Sequence, residues 1–388
     1  MSHDAKTQAI LSFLQAQAAA TSELAGEYTQ MEDLYKRKLW HQLTCVLESF
    51  VKIPAAASHL VPLFDTFVKD FKHKLNKMAL ARIQIAVAHQ MADVEDVAAF
   101  CKAAAEDAAK EEAQASSFIL SELARIQLAA TQIEACKSQL DKAAGYMEEA
   151  GATNEVQAAY YRAWASYFKV KGPAHEFYQH ALLLLAYQPL AQMSREEAVT
   201  ISFDLGISAL VGENLYNFGE LLEHPVISVL QETQYAWLAH LLRAFNAGDI
   251  AQYEVLVAAH HQQLEAQPAL LQNTNFLKEK ITLMCLTETL FQRIGPAADR
   301  SVSFNDIAAA SKLPCNQVEL LLMRALSLQL IRGKIDEVDA TCRVEWVLPR
   351  VLQKEQIQLM HDQLKTWCGT VDSTLSFMEG ETPELAAA

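Results

Sequence analysis

Ser303-Phe304-Asn305-Asp306-Ile307-Ala308, then Pro314-Cys315-Asn316-Gln317-Val318-Glu319-Leu320-Leu321-Leu322, then Leu330-Ile331-Arg332-Gly333-Lys334-Ile335-Asp336-Glu337-Val338-Asp339 and Val344-Glu345-Trp346-Val347: this stretch decides the fold. The first two segments each open a short helix. Asn316 and Glu319 stand at capping-box spacing, so each side chain can satisfy a backbone donor at a helix start. Pro314 discourages helix before it. Val318, Leu321, Leu322, Ala325 and Leu326 recur at helical spacing and face a core. Gly333 marks a turn. Val344 and Trp346 alternate with Arg343 and Glu345 as in a half-buried strand, which points Trp346 inward, onto Leu326 or Leu330. Two helices joined by a tight turn and followed by two short strands make a winged helix. The alternative is a small α+β packing unit of another kind.

Two candidate attachment surfaces follow. One is the edge of the wing, along Lys334, Ile335, Asp336, Glu337 and Val338, where unpaired backbone groups invite another chain. The other lies beyond the wing. Ile357, Met360, Leu364, Trp367, Val371 and Met378 keep a 3–4 apolar rhythm, with Thr374 at the one polar position of the seam. That is a coiled-coil-like stripe on a helix of about 25 residues. It serves either a partner helix or a fold-back onto the domain. The tail 381–388, with Pro383, is expected to be flexible.

Upstream, most of residues 5–290 reads as successive helices. Candidates are 59–75, 78–90, 94–109, 118–130, 133–149, 155–170, 175–187 and 194–210, with breaks at Pro54, Gly151-Ala152-Thr153, Gly172-Pro173 and Gly212. Paired helices without strands suggest an α-solenoid. Ala174, Tyr178 and Ala181 match the small–aromatic–small spacing of the second tetratricopeptide helix, and Tyr161 and Ala165 suit the first. The fold class is therefore mainly α: an N-terminal α-solenoid of tetratricopeptide-like hairpins, then a winged-helix module, then a long terminal helix. The expected boundaries are 1–174 for the repeats, 175–352 for the module with its winged helix at 299–352, and 353–380 for the last helix.

Composition narrows the function. The chain has 388 residues, half of them apolar, and only 12 glycines, which favours helix over a sheet-rich fold. A formal charge of −15 opposes a broad electrostatic grip on nucleic acid or anionic lipid. Residues 299–350 hold seven acidic and seven basic side chains, without the excess of a DNA-binding face. Lys312, Arg324, Arg332, Lys334 and Arg343 are the cations a nucleic-acid reader would use there. The seven cysteines include no Cys-x-x-Cys, and the closest two are 26 positions apart. Reduced thiols of a cytosolic or nuclear protein fit that spacing. No secretory signal and no membrane span are expected.

The chemistry-bearing patterns are missing. There is no G-x-G-x-x-G, no G-x-x-x-x-G-K-[ST] and no H-E-x-x-H. The paired-histidine motif of metal-dependent deubiquitinases is absent too. His260-His261 point about 100° apart on a helix and do not converge on one metal. Glu111-Glu112 and Glu148-Glu149 read as solvated helix faces, and the cysteines as core packing. No catalytic, cofactor-binding or metal-binding residue is assigned, and no cofactor is expected.

A resemblance extends the reading. It is carried by His224-Pro225-Val226, Trp237, Ala244-Phe245-Asn246-Ala247-Gly248-Asp249, Lys280-Ile281, Cys285-Leu286, Glu288, Phe304 and Ile307-Ala308. It continues through Val318-Glu319, Met323, Ala325-Leu326, Gly333, Ile335-Asp336-Glu337-Val338, Trp346, Pro349-Arg350-Val351-Leu352 and Trp367-Cys368. These residues resemble the PCI-domain family, which is shared by subunits of the proteasome lid, the COP9 signalosome and translation initiation factor 3. The likeness is dense from His224 to Cys368 and thin before it, and it favours the proteasome. It implies a non-catalytic scaffold subunit of the 26S proteasome regulatory-particle lid, in cytoplasm and nucleus. Such subunits line up wing to wing and gather their C-terminal helices into a bundle. The implied partners are other PCI subunits, deubiquitinase-type subunits and the ubiquitin-receptor subunit, with neither nucleic acid nor membrane.

Overall fold

The computed structural model describes residues 3–21, 24–151, 153–293, 301–349, 351 and 354–381. The chain divides into two compact units, Met1–Met193 and Ser194–Ala388. Helices of eight residues or more are numbered here in chain order.

The first unit is helical throughout. It opens with α1 (His3–Ala20), α2 (Ala25–Lys36) and α3 (Trp40–Val51). Where one helix is expected over 59–75, the chain instead runs from Pro54 to Lys74 as short pieces, with a π turn at Phe64–Val68. Pro62 supplies a reason, because it has no N–H to give the helical ladder. Thr66 adds to this by donating its hydroxyl to the Pro62 carbonyl at 2.6 Å. Phe64, Phe67, Val68 and Phe71 are all buried in this run, and Tyr35 packs against the rings of Phe67 and Phe71.

Regular pairs follow: α4 (Lys77–Ala88), α5 (Val94–Ala109), α6 (Ala113–Ala129), α7 (Ile133–Ala150), α8 (Asn154–Lys171) and α9 (Ala174–Tyr187). Their starts are local chemistry. The Asn76 side chain accepts the N–H groups of Met78 and Ala79 and begins α4, and Asp93 does the same for Glu95 at α5. Small buried residues let neighbouring helices close up: Ala104, Ala105, Ala115 and Ala143 have almost no exposed surface. Ser116 donates to the Ala105 carbonyl at 2.6 Å and Ser117 to that of Ala143 at 3.1 Å, so hydroxyls fill the gaps without an unpaired polar group. In α8 and α9, Ala165, Tyr178 and Ala181 are buried, and Tyr161 stacks flat on Tyr187 at 5.6 Å. Arg82 of α4 holds both Glu48 of α3 and Glu155 of α8, a clamp between helices far apart in sequence.

The second unit begins with α10 (Arg195–Val211), short turns at Gly219–Glu223 and Val226–Gln231, α11 (Ala236–Ala247) and α12 (Ile250–Ala259). Two more short turns, His261–Glu265 and Pro268–Gln272, lead to α13 (Thr274–Arg293). Gly248 ends α11 in a left-handed conformation, φ 66°. A Cβ there would also lie 2.7 Å from the Cα of Cys285 on α13, so the position requires glycine twice over.

α13 carries the most unusual buried charge. Lys280 is 1 % exposed, and its ammonium donates to the carbonyls of Ala209, Leu210 and Gly212 at 2.8, 3.0 and 2.8 Å. Those are orphan acceptors at the C-terminal end of α10, where the helix dipole favours a cation. Phe218 is the nearest aromatic ring, at 5.2 Å, with Tyr216 and Phe276 at 5.6 Å. Burial pushes the Lys280 ammonium down to about 7. The three carbonyls act in the opposite direction, by accepting hydrogen bonds from the charged form.

The unit ends in β1 (Ser301–Ser303), α14 (Phe304–Ser311), α15 (Cys315–Ser327), β2 (Ile331–Asp336), β3 (Thr341–Val347) and α16 (Lys354–Glu381). The expected order of helical repeats, winged helix and long terminal helix is the order found. The flexible tail expected at 381–388 lies, apart from Glu381, outside the described residues.

Candidate interaction surfaces

The winged helix is built on a small core. Phe304 and Ile307 of α14, Val318, Leu321, Leu322 and Ala325 of α15, and Val302, Ile331, Cys342 and Val344 of the strands are all buried. Ser303 caps α14 by accepting the N–H of Asp306 at 3.2 Å. Asn316 does not cap α15: the helix already starts at Cys315, behind an extended Pro314 that supplies no side-chain bond. Proline's fixed φ and absent N–H set that start without a polar cap. The module is tied down by Lys312 to Glu254 at 2.8 Å, Arg324 to Glu279 at 3.0 Å, and the Cys285 thiol to the Ala310 carbonyl at 3.3 Å.

The sheet has three strands rather than two, in the order β1-β3-β2. Three residues from Ser301 to Ser303 were too few to show a strand in sequence, and they pair with Thr341 to Arg343. β2 is therefore an edge strand, paired with β3 on one side only among the described strands. Lys334, Ile335 and Asp336 lie on that edge. Glu337 and Val338 do not extend it: they sit in the turn beyond β2. The turn is held by Asp336, whose carboxylate accepts the N–H groups of Val338 at 3.1 Å and Asp339 at 3.2 Å.

The strand register also corrects Trp346. Gly333 pairs with Val344 and Arg332 with Trp346, so Glu345 is an extra residue in β3. Such a bulge reverses the inside–outside alternation beyond it. Val347 then joins the face of buried Ile331, and Trp346 joins that of exposed Arg332. Trp346 is half-buried, with the Arg332 guanidinium stacked over its ring at 4.8 Å. Period-2 reading cannot see a bulge. The available signal was Gly333, where a Cβ would collide with the Arg343 carbonyl oxygen.

The second surface is α16. Its 28 residues have every described side chain exposed. The six seam residues Ile357, Met360, Leu364, Trp367, Val371 and Met378 are between 47 and 65 % exposed. Two residues escaped the heptad reading, Leu375 at 54 % and Phe377 at 67 %. Leu375 was legible in principle. It lies five full turns after Ile357 in a helix of 3.6 residues per turn, so it aligns with the stripe better than Thr374 does. The pairs Met360/Val371, Leu364/Leu375 and Trp367/Met378 repeat every eleven residues, a spacing that drifts by only about 20° per repeat around the helix, in the sense opposite to a heptad. A third apolar spot, Leu320 and Met323, faces outward on α15.

Among the described residues no group of three His, Cys, Asp or Glu side chains is placed to hold a metal ion. His260 ends α12, and His261 approaches Glu265 at 3.3 Å. Burial pushes the Cys101 thiol up to about 12 and that of Cys136 to about 11, well away from thiolate chemistry. No helix among the described residues is long and apolar enough to cross a membrane.

The comparisons with known proteins fit this layout. Residues 27–242 match the PSD13 N-terminal repeats and residues 257–346 match the PCI domain. The 26S proteasome non-ATPase regulatory subunit 13 homolog B of Arabidopsis thaliana is 39 % identical over 98 % of this chain and all of its own length. The 26S proteasome non-ATPase regulatory subunit 13 of Dictyostelium discoideum is 35 % identical over 97 % of this chain and 98 % of its own. Eukaryotic translation initiation factor 3 subunit M of Aspergillus fumigatus is more distant, 24 % identical over 52 % of this chain and 42 % of its own. α16 lies beyond the PCI match, inside the full-length likeness. The chain belongs to the 26S proteasome non-ATPase regulatory subunit 13 family of PCI-domain proteins.

Proposed function

We propose that this chain is a non-catalytic scaffold subunit of the lid of the 26S proteasome regulatory particle. In that role it supports assembly of the lid and, through it, ubiquitin-dependent protein degradation in cytoplasm and nucleus. One observation carries the reading: an apolar stripe exposed on α16 from Ile357 to Met378. A stripe of that length is costly to leave in water and marks a surface built for a partner. The kind of partner it suits is a bundle of helices from neighbouring PCI and deubiquitinase-type subunits, with the ubiquitin-receptor subunit as a further neighbour. The open edge of β2 gives a second attachment, through backbone pairing with an adjacent wing.

The division of labour follows the chain. Residues 1–174 act as a helical-repeat platform, 175–352 as the PCI module, and 353–380 as the attachment helix. A nucleic-acid role for the wing is disfavoured by its own contacts. Of the five candidate cations, Lys312 and Arg324 are spent on glutamates and Arg332 on Trp346. Phosphate binding would need such cations free.

The test is purification of the tagged full chain from its own cells, with mass spectrometry of what accompanies it. Lid subunits in stoichiometric amounts are expected. A chain that purifies alone, or with initiation-factor or signalosome subunits, contradicts the proposal.

A further inference from the structure

Asp336 ends β2, and the turn that follows it, Glu337-Val338-Asp339-Ala340, lies beyond the strand edge proposed above for attachment. All five residues are exposed, and Val338 is 96 % exposed, more than any other large apolar residue described. Asp336 has a structural task as the cap of the turn. Val338, Asp339 and Ala340 take part in the turn through their backbones alone. Turn positions usually hold glycine, asparagine or serine, and Ala340 occupies a left-handed φ of 49° that favours glycine.

We propose that this tip is a processing site for an aspartate-directed cysteine endoprotease of the caspase type, cut between Asp339 and Ala340. The recognition chemistry is linear. A carboxylate at the cleaved residue and another three positions earlier suit two arginine-lined pockets, which read carboxylates through forked hydrogen bonds. The apolar Val338 fills the space between them, and small Ala340 leaves the scissile carbonyl open to attack. The protease thiolate adds to the Asp339 carbonyl carbon. The C–N bond to Ala340 breaks as the leaving amine takes a proton, and water then hydrolyses the acyl-enzyme to leave a carboxylate on Asp339. One water is consumed, with no other co-reactant.

The fold controls the rate. A protease takes its substrate extended, as an added strand. The tip must give up the two bonds to Asp336, the Ala340 N–H to Glu337 carbonyl bond at 3.3 Å, and the Phe304 N–H to Ala340 carbonyl bond at 2.9 Å. Reading Asp336 also opens the last rung of the β2–β3 ladder, Asp336 with Thr341; these bonds all sit at the end of the hairpin, so local opening suffices and global unfolding is not required. The product 340–388 keeps β3 and α16. β3 is the central strand, with Cys342 and Val344 buried, so the fragment stays lodged in the wing while its covalent link to the rest is gone. If α16 is the attachment helix proposed above, this cut separates attachment from platform.

The test uses the purified full chain, a purified executioner caspase, and a free peptide spanning residues 332–345 as a control. Intact mass should show one cut, giving 1–339 and 340–388, which co-migrate in native buffer and separate in denaturant. Asp339→Glu keeps charge and exposure and should melt as the parent does, while cleavage slows by at least about tenfold. A peptide that is cut while the folded chain survives overturns the proposal, because the fold then withholds the site. So does a peptide that is not cut, or a chain cut equally well with Asp339→Glu.

Discussion

α15 and α16 carry the same sequence signal and meet opposite fates. Each has apolar residues at a 3–4 rhythm. In α15, Val318, Leu321, Leu322 and Ala325 are buried under α14 and the three-stranded sheet, while in α16 the comparable residues are all exposed. Periodicity therefore says that a face is apolar, not what covers it. Coverage comes from neighbours: α15 is flanked by strands that close over it within the same chain, and α16 has no described element over its stripe. The likeness to the relatives runs over nearly the full length of the chain.

Substitutions on the packed side should hurt the isolated chain most. The largest effect is expected at Lys280, on the α13 helix to which the module is tied. Lys280→Met leaves three helix-end carbonyls without donors and should lower stability by about 3–5 kcal/mol, measured by chemical denaturation. A loss below about 1 kcal/mol would mean that water replaces the ammonium without cost. Next is Leu322→Ala, which opens a cavity in the wing core and should cost about 2–5 kcal/mol. Retained stability there would show that α15 is no better packed than α16.

Trp346 stands between the two cases. Read as an inward strand residue, it should cost about 3–5 kcal/mol on truncation. Placed on the outer face by the bulge and half-buried, with Arg332 over its ring, Trp346→Ala should cost about 1–2 kcal/mol. A double-mutant cycle with Arg332→Ala should then show a coupling of about 0.5–1 kcal/mol. Zero coupling, or a full core-sized loss, would put the ring back inside. The smallest change is expected at Leu364→Ala in α16, within about 0.5 kcal/mol by the same denaturation assay. A loss of core size would show that the seam is covered by its own chain.

These contrasts also mark what was legible in sequence. Helix pairs, their glycine and proline breaks and the wing with its terminal helix could be read, because each rests on local chemistry such as periodicity and turn residues. The misreadings fall where tertiary geometry overrides a local rule. The β3 bulge at Glu345 reversed the face of Trp346. Pro62 and the π turn broke an expected straight helix. Pro314 started α15 one residue before the capping pair at Asn316 and Glu319. On α16 the rhythm was seen, yet heptad counting set Thr374 on the seam where the straight helix sets Leu375. Lys280 had no sequence signal for its role, because its three acceptors come from a helix about seventy residues away.

The central claim is that α16 is an attachment helix and contributes nothing to the fold of its own chain. Deleting residues 353–388 tests it most directly, with melting of the purified chain and incorporation into the assembled lid measured side by side. The shortened chain should melt as the full chain does and fail to enter the complex. Entry at the full chain's level, or a melting temperature that collapses, would contradict the claim.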